Sequence, residues 1–203
     1  DLLILMGISY QSQKAIEVAE AIMSRIQNSA REASAELAER RGNFPSFDHS
    51  ISPEQGFRKR RNATLTTIAP TGTISLIAGV SSGIEPVFAF EAKRRIVDTV
   101  YDDVHPIYAR YQREGKPISP EIFQTAWDVD PEWHIRIQAA FQKYTDNAVS
   151  KTINVPSSAG RADIRSLFLK AHETGVKGIT VYRDQSREDQ ILQACSIKNE
   201  ECS

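Results

Sequence analysis

The sequence comprises 203 residues, with 25 lysines and arginines against 26 aspartates and glutamates and a net charge of -1. That length suffices for one large domain or two small ones around a buried core, and 40% hydrophobic with 25% charged residues is a globular composition rather than a disordered or membrane-embedded one. The balanced charge excludes an overall basic field that recruits nucleic acid, no apolar run approaches the ~20 residues of a bilayer span, and no basic leader with a cleavage site opens the chain, so a cytoplasmic protein without membrane or nucleic-acid partners is expected.

The chain opens on Asp1-Leu-Leu-Ile-Leu-Met6, already inside an apolar segment, and stops on Glu-Cys-Ser203 as a polar tail begins, from which an excerpt of a longer polypeptide is expected. Ile16, Ala19, Met23, Ile26, Ala30, Ala33 and Leu37 then recur in steps of three and four among polar residues, the pattern of a long amphipathic helix. A coiled coil is the alternative, but an alanine-rich stripe favours close packing on a larger body. Arg41-Gly42, with Pro45 and Pro53 beyond, marks its end.

The basic run Arg58-Lys-Arg-Arg61 either steers an anionic ligand or forms a solvated strand entrance. Arg61 to Ala69 is rich in β-branched residues and reads as a strand, whereas Val87–Phe90 and Ile96–Tyr101 read as strands or short extended pieces, with Lys93-Arg-Arg95 between them. Asp103–Gly115 and Ser119–Ala126 read as short helices, and Asp130-Pro131 caps another that carries Ile135, Ile137, Ala140, Phe141 and Tyr144. Lys151–Val155, a helix over Arg161–Thr174 and Lys177–Arg183 together give extended segment, helix, extended segment, which predicts a crossover unit with parallel strands.

The chemistry concentrates in Ala69–Pro86, "APTGTISLIAGVSSGIEP". Gly72 permits a tight turn, and the backbone amides at the start of a following helix, with the hydroxyls of Thr71, Thr73 and Ser75, would suit a phosphate. The segment is not a GxxxxGK[ST] loop, and such a turn can equally be a plain helix cap. Glu85, before Pro86, is either a carboxylate that orients a ligand or a turn residue. His49, His105, His134 and His172 lack metal-ligand spacing, and Trp127 and Trp133 suit a packed helix junction.

Three long stretches, "RNATLTTIAPTGTISLIAGVSSGIEPVF", "FQKYTDNAVSKTINVP" and "GVKGITVYRDQSRE", together with "RGNFPSF", closely resemble the carboxy-terminal part of the catalytic chain of adenosylcobalamin-dependent (class II) ribonucleotide reductases. The resemblance implies the carboxy-terminal portion of a ten-stranded α/β barrel over residues 1–192, with a flexible cysteine-containing tail over 193–203. It implies that Pro70, Thr71, Gly72, Thr73, Ile74 and Ser75 bind the phosphates of a ribonucleotide substrate, and that Ile179–Tyr182 forms the last barrel strand. It further implies adenosylcobalamin as cofactor of the full enzyme, a thioredoxin-type reductant, and an amino-terminal remainder of the catalytic chain as partner.

The family's radical cysteine and its Asn-x-Cys-x-Glu segment have no counterpart here, so this chain is expected to be inactive by itself. The only cysteines, Cys195 and Cys202, lie in the last nine residues, where they either relay reducing equivalents or are exposed thiols. Val181-Tyr182 offers one tyrosine where diiron-dependent relatives carry two, which favours a packing role for Tyr182. A stand-alone nucleotide-binding module, or half of a split reductase, is the alternative. Half a barrel would leave strand edges open, so self-association is expected.

Overall fold

The computed structural model describes residues 1–96, 99–186 and 193–194. A short α1 (Leu2–Leu5) precedes the 29-residue α2 (Gln13–Arg41), which Ser12 opens by accepting the Ala15 amide at 3.1 Å and Gly42 closes at a φ of 76°. The buried face of α2 is Ala15, Ala19, Met23, Gln27, Ser34 and Ala38, and it packs on α5 (Pro131–Gln142). This corrects the expected stripe: Ile26 and Leu37 are 49% and 39% exposed. The stripe turns because two polar residues on the buried face have partners. Gln27 reaches Asp146 Oδ1 at 3.5 Å, and Ser34 Oγ accepts the amides of Arg61 and Asn62 at 3.1 and 3.2 Å, docking the returning chain on the helix.

Arg61–Ala69 does not form the expected strand. It runs parallel to residues 147–150 with one bridge, Ile68 to Val149, and ladder-like bonds from Asn147 N to Thr66 O (3.0 Å) and Ser150 N to Ile68 O (2.8 Å). Side chains take the remaining positions: the Asp146 carboxylate accepts the Leu65 amide at 2.8 Å, and Thr66 Oγ1 accepts the Asp146 amide at 2.9 Å. Arg60 is likewise withdrawn from any steering role, since it is buried and donates to Asp146 Oδ2 at 2.8 Å.

A short α3 (Gly72–Ala78) leads into a hairpin of β1 (Glu91–Ile96) and β2 (Thr99–Val104), paired antiparallel from Glu91 opposite Val104 to Ile96 opposite Thr99. The basic run 93–95 therefore lies inside a strand rather than between two, and the expected Ile96–Tyr101 strand is divided between the end of β1 at Ile96 and β2 from Thr99. β5 (Gln193–Ala194) pairs with β1 on its other edge. Val87 forms only an isolated parallel bridge to Thr125.

α4 starts at Pro106 and ends at Arg113, three residues later than expected at its amino end. Ser119–Ala126 makes one turn and no helix: the amides of Ile122 and Phe123 both reach Ser119 O, at 3.0 and 2.9 Å, and the chain then pairs with Val87. Phe123 is drawn instead into an aromatic cluster with Phe90 (5.3 Å), Tyr108 (6.0 Å) and Tyr111 (5.1 Å).

The carboxy-terminal half follows the sequence closely. Asp130 caps α5 by accepting the Glu132 amide at 2.8 Å, with Pro131 at the first helical position. β3 (Thr152–Val155) and β4 (Thr180–Arg183) are parallel, in register from Thr152 opposite Thr180 to Val155 opposite Arg183, and α6 (Arg161–Glu173) makes the crossover. Ile135, Ile153 and Val155 form the core of this unit under Ile164, Leu167, Ile179 and Val181.

Candidate functional site

Segment 69–86 crosses the front of this framework as two turns around α3. Thr71 adopts the left-handed conformation (φ 56°, ψ 24°) at the N-cap of α3, and the first helical bond runs from Ser75 N to Thr71 O at 2.9 Å. The amides of residues 72–74 therefore precede the helix's own hydrogen bonds. Gly72, Thr73 and Ile74 are exposed, whereas Ser75 is buried and its hydroxyl donates to Gly72 O at 2.9 Å.

The second turn braces the first. Ser82 Oγ donates to Pro70 O and lies 3.3 Å from Thr71 Oγ1. Gly83, at a φ of 51°, lies alongside it, where a Cβ would stand 3.5 Å from Ala69 O and 3.8 Å from Thr71 Oγ1. A side chain at this position would be strained by the left-handed backbone, while its Cβ would rest at ordinary contact distance on the Thr71 turn.

Glu85 ends the second turn and enters a buried polar network that sequence reasoning missed. Lys151, fully buried just before β3, donates from Nζ to Glu85 Oε2 (2.5 Å), His134 Nδ1 (2.6 Å) and Thr152 O (2.5 Å). The other Glu85 oxygen accepts the Thr152 amide at 2.6 Å. Three donors and three acceptors are thereby matched around one cation. Burial lowers the Lys151 pKa, and the Glu85 carboxylate opposes that shift.

His134 lies on α5 with its Nε2 at 3.2 Å from Ala126 O, so Nε2 carries the proton and Nδ1 accepts from Lys151. Burial, reinforced by the Lys151 charge, pushes its pKa down to about 3, which keeps the ring neutral. Tyr10 completes the surround, donating to Ile84 O at 2.8 Å; burial, and then the Glu85 charge, raise its pKa. In the sequence Lys151 is marked only as a charge at the start of a buried extended run, which does not by itself tell an inward-turned lysine from one that reaches solvent.

The other singled-out residues fall elsewhere. Trp127 packs between Phe88 (5.8 Å) and Tyr182 (6.0 Å), giving Tyr182 an aromatic neighbour on β4. Trp133 carries Arg136 over its ring at 3.8 Å. Cys195 and Cys202 lie outside the described residues. Among the described residues no group of three or more His, Cys, Asp or Glu side chains is placed to hold a metal ion, and no helix is long and apolar enough to cross a membrane.

The profile of the ribonucleotide reductase barrel domain matches residues 1–58 and 54–182. The chain belongs to the ribonucleotide reductase barrel-domain family. Among relatives of this family, the vitamin B12-dependent ribonucleoside-diphosphate reductase of Mycobacterium tuberculosis (strain CDC 1551 / Oshkosh) is 42% identical, over 98% of this chain and 32% of its own length. The protein of the same name from Thermoplasma acidophilum is 42% identical over 96% of this chain and 28% of its own length. A solved structure, the class Id ribonucleotide reductase alpha subunit of Actinobacillus ureae, superposes with a TM-score of 0.72 at 25% identity, covering 90% of this chain and 37% of that one. The chain thus spans about a third of the length of the reductases it matches.

Proposed function

We propose that this chain works as the carboxy-terminal part of the catalytic barrel of an adenosylcobalamin-dependent ribonucleotide reductase, joined to an amino-terminal remainder, and that residues 70–75 hold the phosphates of a ribonucleoside diphosphate. The observation that carries the reading is the left-handed Thr71 turn, which opens α3 with the amides of residues 72–74 ahead of its first internal bond and two threonine hydroxyls beside them. The names of relatives at 42% identity support the substrate class, the cofactor and the reaction, reduction of a ribonucleotide to a deoxyribonucleotide.

In that enzyme this segment binds and orients. The amides and the Thr71 and Thr73 hydroxyls fix the phosphate end of the substrate, so that the ribose is delivered to radical chemistry supplied by the remainder. The described residues do not form a cradle for adenosylcobalamin. A groove of about 460 Å3 is lined by residues such as Ile16, Glu20, Arg136, Lys143 and Thr174, none of them in the loop, and buried polar atoms without partners, such as Arg31 Nε and Gln138 Oε1, are scattered rather than convergent. No step through the cofactor is assigned to this segment.

The isolated chain is accordingly inactive, Cys195 and Cys202 serve a thioredoxin-type reductant, and exposed barrel surface drives self-association. The test is steady-state reduction of a ribonucleoside diphosphate by the complete reductase carrying Thr71→Ala with Thr73→Ala. The expected result is a KM raised by about tenfold or more at an unchanged melting temperature. An unchanged KM overturns the reading.

A further inference from the structure

The buried lysine invites a role because a buried ion pair can often be replaced, both partners together, by apolar side chains of similar volume at little or no loss of stability. What Lys151 does that an apolar residue could not is to fix a carboxylate. With the Thr152 amide it grips both oxygens of Glu85, so that the start of β3 holds the end of the second turn by two short contacts.

From Glu85 the constraint runs back along the turn. The Glu85 amide donates to Ser82 O at 2.9 Å, closing residues 82–85, and Tyr10 holds Ile84 from the other side at 2.8 Å. Ser82 in turn donates to Pro70 O and meets Thr71 Oγ1, while Gly83 lies against the Ala69–Thr71 backbone. The strained Thr71 conformation therefore has a continuous line of support to a barrel strand, and α3, whose apolar side chains are largely exposed, contributes little to that support. Lys151 has a second consequence: it neutralises Glu85, which would otherwise bring an uncompensated negative charge into the turn that braces an anion site.

We propose that Glu85 and Lys151 are positioning residues for substrate binding, holding the 82–85 turn, and through Ser82 the Thr71 turn, in the shape that receives the diphosphate. This rests on the reading of residues 70–75 as the phosphate loop. Neither side chain touches substrate; they act through Ser82.

The experiment measures KM and kcat for a ribonucleoside diphosphate, with melting temperatures, in the complete reductase carrying Glu85→Gln, Lys151→Met, both together, Ser82→Ala, or Thr71→Ala with Thr73→Ala. Glu85→Gln and Ser82→Ala are expected to raise KM by about tenfold while kcat moves by less than about threefold. The double Glu85→Gln/Lys151→Met variant is expected to regain the melting temperature lost in Lys151→Met, yet to keep the raised KM. Recovery of both would make the pair merely structural and overturn the proposal. Should Glu85→Gln fail to fold, Ser82→Ala carries the test, because it cuts the line of support away from the buried charge. Parental KM in Ser82→Ala beside a raised KM in the threonine variant overturns the clamp and leaves the loop reading standing. Parental KM in the threonine variant overturns both.

Discussion

Ile135 and Ile153, in the crossover unit, are wholly buried, whereas Ile74, Leu76 and Ile77, on the 7-residue α3, are 69%, 61% and 83% exposed. Both regions are apolar in sequence, and they meet where Glu85 reaches Lys151. The crossover unit covers its own hydrophobic side chains with α5, α6 and two parallel strands. The loop around α3 has no such cover within the described residues and is held by turn chemistry, Ser82, Gly83 and Glu85, rather than by packing. Stability thus resides in one region, and the groups free to meet a ligand or another part of the barrel reside in the other.

The largest break in this comparison comes from pH. His134 has a folded pKa of about 3 against its ordinary 6.5, so the unfolded chain takes up a proton that the folded one refuses. Stability is therefore full above pH 6.5, falls as pH drops from 6.5 towards 3, and loses no more to this group below that, a total on the order of 5 kcal/mol. Urea unfolding between pH 7 and pH 4 should show the slope, and His134→Asn, which keeps an acceptor for Lys151, should flatten it.

Asp146→Ala comes next, because it leaves Arg60 buried without its anion and frees the Leu65 amide. A loss of about 3 to 5 kcal/mol is expected in denaturant unfolding. Ile153→Val in the core of the crossover unit should cost about 0.5 to 1.5 kcal/mol by the same measurement. Ile77→Ser, on the exposed face of α3, should change stability by less than about 0.5 kcal/mol, and light scattering should find less self-association. A large destabilisation by Ile77→Ser would erase the distinction between the two regions.

The same division governs what could be read from sequence. In the crossover unit local signals agree with tertiary ones: Asp130-Pro131 caps α5, Gly175 follows α6, and β3, α6 and β4 fall where the pattern of extended, helical and extended segments puts them. Elsewhere tertiary bonds override local pattern. Gln27 and Ser34 are polar yet buried because Asp146 and the 61–62 backbone receive them, which rotates the α2 stripe. Ser119–Ala126 has a helix cap but surrenders Phe123 to the aromatic cluster. The turn at residues 70–75 stood out by its glycine, its hydroxyls and the family resemblance, and Glu85 was visible as one of two alternatives. Lys151 was not, since nothing local distinguishes a lysine that turns inward to a carboxylate 66 residues away from one that snorkels to solvent.

Whether residues 70–75 form a phosphate site braced from β3 is decided by calorimetric titration of this chain with a ribonucleoside diphosphate, in parallel with a variant carrying Thr71→Ala, Thr73→Ala and Ser75→Ala. The expected result is binding by the parent chain that the variant loses. Equal binding by both chains would place the phosphates elsewhere and contradict it.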